Sequence, residues 1–141
     1  MVVSKLAELL VFGFAPLALG LMMSPGAADA EERTIQGEIT YRERIALPPN
    51  AVVTVELADV SLADAPASVI GRQEIKNPGQ VPIKFAVSYD AGVIQPKMAY
   101  AVQARITVDN QLWFINDTRY AVDPLSPQPA TLVLKSSRQN Q

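Results

Sequence analysis

The chain has 141 residues, 49% of them hydrophobic, a formal charge of −2, and neither cysteine nor histidine. That excludes disulfide stapling, a thiol nucleophile, a Cys/His zinc site and a Ser-His-Asp triad. Acidic and basic residues are mixed along the chain, so no sustained basic stripe is present for a nucleic-acid backbone, and none is expected as a partner.

In chain order, the first feature is a leader. Lys5 precedes an apolar run over residues 9–23, Pro25 and Gly26 break it, and Ala28-Asp29-Ala30 supplies small residues at the spacing of a processing site. The run sits near the lower limit of about 17 residues for a membrane helix and carries Gly13, Pro16 and Gly20. Residues 1–30 are therefore expected to be a secretory signal cleaved between Ala30 and Glu31, leaving one domain over residues 31–141 in the periplasm or outside the cell. About 110 residues suffice for one hydrophobic core. A bacterial lipoprotein needs a cysteine at the end of its signal, so no lipid anchor is expected.

Past the leader, short alternating segments recur and no stretch sustains a 3.6-residue period, which predicts a nearly all-β domain. The first strand is expected over residues 34–41, with Ile35, Ile39 and Tyr41 inward and Gly37 marking a bulge or a close backbone approach. Pro48 and Pro49 then interrupt the ladder. Residues 51–59 give the clearest strand, with Val53, Val55 and Leu57 on a core face and Thr54 and Glu56 on a wet one. A loop over 60–67 leads to a third strand at 68–76, and Asn77-Pro78-Gly79-Gln80 reads as a turn.

Residues 82–89 place Ile83, Phe85, Val87 and Tyr89 on one side. A connector with room for one helical turn follows, then a long strand at 98–108 with Tyr100, Val102, Ala104, Ile106 and Val108 inward. Asp109-Asn110 fits a two-residue hairpin turn, because both tolerate left-handed backbone. Residues 111–115 pair back, 119–122 add a short strand, and 131–135 add the last, with Leu132 and Leu134 inward. The tail from Ser136 is polar and expected to fray. Seven or eight such strands predict a small antiparallel β-sandwich, with a small closed barrel as the alternative.

Candidate chemistry is sparse. Asp59, Ser61 and Asp64 put two carboxylates and a hydroxyl in one loop, a set that suits a binding rim or a hard cation. The loop lacks the density and the glycine of a calcium loop, and Asp and Ser more often brace turns, so no metal or cofactor is expected. Glu56 with these acids could be cast as a glycosidase pair, but so small a domain has little chain for a cleft. Trp113 and Phe114 alternate across a strand, which leaves Trp113 as a candidate contact for a protein or a sugar ring. Arg42, Glu43 and Arg44 could form part of a binding rim, although alternating signs more often mark a solvated face, and Arg105 is placed to pair across strands with Glu56.

The segments ALPPNAVVTVELADVSLADAP, VIG, GQVPIKFAVSYD and YAVQARITVDNQLWFINDTRYAV cover most of residues 35–122. Together they resemble the YbaY-like family, which includes the YscW-type lipoprotein chaperones, or pilotins, of type III secretion. The resemblance implies a compact β-sandwich in the bacterial envelope, no catalysis, and a role beside an outer-membrane protein such as a secretin. The family's lipid-attachment cysteine is missing here. The expected function is an exported, non-enzymatic, chaperone-like module that binds an envelope protein or peptide at a sheet edge or an inter-sheet groove. A glycan-binding module linked to envelope polysaccharide is the alternative.

Overall fold

Strict alternation is strongest where the structure buries one face of a strand. The fourth strand alternates buried and exposed along its whole length, and the fifth buries every residue on its inner side. These come from a computed structural model that describes residues 31–137. The expected signal, with Ala28 and Ala30, and residues 138–141 lie outside the described residues; Glu31 is exposed at their start.

Eight strands follow in order: β1 (Glu32–Tyr41), β2 (Ala51–Asp59), β3 (Ser68–Lys76), β4 (Ile83–Asp90), β5 (Tyr100–Val108), β6 (Gln111–Ile115), β7 (Tyr120–Val122) and β8 (Ala130–Ser136). One 3-10 turn, Ala91–Val93, fills the expected helical turn between β4 and β5. The strands are neighbours in the order β3-β2-β5-β6-β8-β1-β4, with β7 also pairing β5. The fold is all-β, as expected: one half contains β3, β2 and β5, the other β8, β1 and β4, and β6–β8 pairing joins them on one side. The free margins, β3 and β4, meet on the other side, so the sandwich is nearly a closed barrel. There the Gln73 side-chain oxygen accepts from the Ala86 backbone N–H at 2.7 Å, standing in for a ladder bond.

One pair departs from the antiparallel expectation. β1 and β8 are parallel, with Gly37 opposite Ala130 and Tyr41 opposite Leu134. Gly37 fulfils the expected close approach, since a Cβ there would lie 1.9 Å from the Ala130 carbonyl oxygen. The Asp109-Asn110 turn has φ of 53° and 63°, the left-handed pair that matches the twist of a tight hairpin.

The core is drawn from the inner faces. Ile35, Ile39, Val53, Val55, Leu57, Val87, Val102, Ile106 and Leu132 are fully buried. Tyr41 stacks on Phe114 with centroids 4.0 Å apart and planes within 9°. Tyr41 donates its hydroxyl to the Ile45 carbonyl at 2.5 Å, and burial raises its pKa above the ordinary phenol value.

Two expectations need correction. The outer face of β2 is not wet: Thr54 is 4% and Glu56 8% exposed. β2 lies between β3 and β5, so Arg72 and Arg105 from its neighbours fold over it. The tail does not fray from Ser136, which belongs to β8; Ser137 donates its N–H to the Trp113 carbonyl at 2.9 Å and its hydroxyl to the Leu112 carbonyl at 2.7 Å.

Candidate docking site

The end of the barrel where β2 and β7 finish and β5 begins carries three connectors braced by their own polar side chains. Asp59 accepts the Ser61 N–H at 2.9 Å, closing an Asx turn. Hydrogen bonds from the Ser61 side chain and backbone hold the Asp59 carboxyl below its ordinary pKa. Ser61 Oγ in turn accepts the Ala99 N–H at 2.8 Å, and the Val60 N–H donates to the Ala99 carbonyl at 2.8 Å. The β2–β3 loop is thereby fastened to the start of β5, and it presents Leu62, 73% exposed, at its tip.

The other two connectors are fixed in the same manner. Tyr100 Oη accepts the Gln95 N–H at 3.0 Å, and Asp123 accepts the Leu125 N–H at 3.0 Å. Tyr89 donates to the Pro124 carbonyl at 2.6 Å from a buried position, and burial raises its pKa. Arg33 donates to the Leu125 carbonyl at 2.6 Å. Between these connectors lies a hollow of about 250 Å³ lined by Ile94, Met98, Tyr100, Val122, Pro124 and Leu125 among others. Met98 and Leu125 remain open to solvent there. Apolar side chains grouped on rigid loops, with backbone polar groups already satisfied, form a surface suited to an apolar segment of another chain.

The four residues expected to bind do not converge. Asp59 and Ser61 brace the loop, and Asp64 lies exposed farther along it. Trp113 sits at the opposite end of β5, where β6 pairs near Ile106 and Thr107 whereas Asp59 pairs with Tyr100. Seven strand residues at about 3.3 Å each put roughly 20 Å between them. A register shift leaves Trp113 as an extra residue between the partners of Ile106 and Thr107. Alternation lapses there, and the half-buried indole packs against the core.

The glycan alternative gains no support from this arrangement. The Asn116 side chain beside that strand accepts from the Ala104 N–H at 2.8 Å and donates to the Thr118 carbonyl at 2.9 Å, so both its ends serve the fold. Glu56 and Asp59, three residues apart on β2, point to opposite faces and do not share a cleft. Among the described residues, no three Asp or Glu side chains gather as a metal site. Of the hollow's own residues, Leu125 escaped the sequence reading because its connector lacks periodicity, while Met98, expected to open the long strand, lies in the connector before β5, which starts only at Tyr100.

Residues 30–134 match the family model described as "Type III secretion system lipoprotein chaperone (YscW)". The chain belongs to the YscW family. It is 38% identical over 102 residues to the uncharacterized lipoprotein YbaY of Escherichia coli strain K12, across 72% of this chain; it spans about half, 52%, of that relative's length. Among solved structures, this YscW-family chain resembles an alternative pilotin from the type II secretion system of Vibrio cholerae. That match has 49% identity and a TM-score of 0.72, and covers 77% of this chain and 99% of the other. The expected family is therefore shown. The matching model describes a lipoprotein chaperone, and the two relatives are a lipoprotein and a pilotin.

Proposed function

We propose that this chain is an exported, non-enzymatic accessory protein that binds a segment of an outer-membrane protein such as a secretin and assists its placement. The observation that carries the reading is the 49% identity to a pilotin over nearly the whole of that chain. The hollow, with exposed Met98 and Leu125 in its lining, is where the segment docks, and the β2–β3 loop with exposed Leu62 and with Asp59, Ser61 and Asp64 extends the contact. Apolar anchors of the partner would enter the hollow, and no cofactor is required.

We further propose that the leader is removed after Ala30 and that the domain acts unlipidated in the periplasm, since the sequence contains no cysteine to carry lipid. Such a protein would diffuse to its partner instead of travelling on the lipoprotein route.

In-cell photo-crosslinking tests the docking. A crosslinker placed at Leu62, Met98 or Leu125 should capture a secretin, identified by mass spectrometry, while one at exposed Lys84 on β4 should not. Equal capture from all positions, or capture from Trp113 alone, would overturn the placement of the site. A mature N-terminus other than Glu31 would overturn the proposed processing.

A further inference from the structure

The outer face of β3, β2 and β5 is independent of the docking site and lies toward the other end of β5. The strand register sets three rows across it: Lys76–Val52–Thr107, Glu74–Thr54–Arg105 and Arg72–Glu56–Gln103. A groove of about 290 Å³ runs over these rows, lined by Thr54, Arg72, Glu74, Lys76 and Arg105 among others.

Glu56, between Arg72 and Gln103 in the last row, has its side chain 10% exposed and holds both guanidinium groups by long contacts of 3.6 Å each. That is too long for a strong charge-assisted bond, which runs to about 2.9 Å. Among the described residues neither guanidinium makes a side-chain hydrogen bond, and beyond Arg72 Nε and Arg105 Nη1, which face Glu56, their remaining N–H donors are uncommitted. The Thr54 hydroxyl lines the same groove, is 4% exposed, and has no hydrogen-bond partner among the described residues. A buried hydroxyl without a partner costs stability, so a solvated salt lattice does not account for it.

We propose that this groove binds a phosphate oxyanion, with Arg72 and Arg105 as the main donors, Lys76 adding charge, and the Thr54 hydroxyl completing the cradle. Arg72, Lys76 and Arg105 set against Glu56 and Glu74 leave one positive charge, which matches a singly charged phosphate. Donors converging from β2, β3 and β5 suit a tetrahedral group better than a planar carboxylate. The phosphate belongs either to a soluble ion or to a phospholipid headgroup.

The test uses the full chain as purified from cells, titrated with sodium phosphate at constant ionic strength and followed by amide NMR. Saturable shifts are expected at Thr54, Arg72, Arg105, Thr107 and Asn110. Thr54→Val should weaken binding about 10-fold, as loss of a hydrogen bond to a charged group does, while leaving the melting temperature unchanged or higher. R72Q/R105Q should abolish saturation.

Flotation with phosphatidylglycerol vesicles, but not phosphatidylcholine vesicles, that is lost in R72Q/R105Q would assign the headgroup as the source. Phosphate saturation without flotation would assign the soluble ion. The proposal is overturned if T54V binds phosphate like wild type, if acetate or a glutamate-rich peptide saturates the groove equally well, or if neither phosphate nor anionic vesicles bind.

Discussion

Replacing Gly37 with alanine adds one carbon where β1 passes between β8 and β4. That Cβ would lie 1.9 Å from the Ala130 carbonyl oxygen, 2.8 Å from the Ala130 carbonyl carbon and 2.8 Å from Phe85 Cζ. Comfortable carbon contacts begin near 3.5 Å, so β8 must retreat by roughly 1.5 Å or β1 must twist away. Either movement stretches the parallel ladder from Gly37↔Ala130 to Tyr41↔Leu134.

Overpacking that only displaces side chains costs about 1–3 kcal/mol; here backbone obstructs, which places the cost at about 3 kcal/mol. The alanine's lower entropy of unfolding returns less than about 1 kcal/mol of this. The melting temperature should fall by roughly 10–20 °C for a domain of this size. Circular dichroism during heating, with urea unfolding as a second measure, reads it. Gly92→Ala is the control, because its nearest obstacle is the Asp90 carboxylate oxygen at 3.1 Å, the end of a flexible side chain. If G37A melts within about 2 °C of wild type, or G92A falls as far, the close approach does not hold the sheet as described.

Other outcomes follow from single contacts. Phe114→Ala removes a ring that is 1% exposed and stacked on Tyr41, and should cost about 3–5 kcal/mol by urea unfolding, against a smaller loss for Trp113→Ala at its half-buried bulge. Tyr120 Oη accepts the Val133 N–H at 2.9 Å and donates to the Val133 carbonyl at 3.3 Å, so Tyr120→Phe should destabilise by about 1–2 kcal/mol and speed exchange of the Val133 amide. Asp59 has a lowered folded pKa, so its contribution to stability is present above its unfolded pKa and is lost as pH falls through the lower folded value. Accordingly, Asp59→Asn should separate from wild type in stability at pH 7 and converge with it below pH 3.8, read by urea midpoints across pH.

Alternation made β4 and β5 legible because each has one face in the core, and Asp109-Asn110 was legible because few residues accept left-handed backbone twice in succession. Pairing partners were not. Nothing local to residues 130–136 says that they lie parallel to β1, because that neighbour is chosen by the closing of the whole sheet. Thr54 and Glu56 read as wet because polarity usually reports solvent; their burial comes from Arg72 and Arg105, which only the register brings alongside. The site was legible in part. Asp59 and Ser61 stood out as turn-forming residues and do brace a loop, whereas Met98 and Leu125 meet only through connectors folded over one end.

The pairing of β1 with β8 also bears on how the molecule is made. The first strand of the domain finds one of its two neighbours only when the last has emerged, so a chain still being threaded across a membrane cannot complete its sheet. Contacts of such long sequence separation slow folding. With the export proposed above, that delay keeps the chain loose enough to be drawn through a narrow channel, locking only once its final residues arrive.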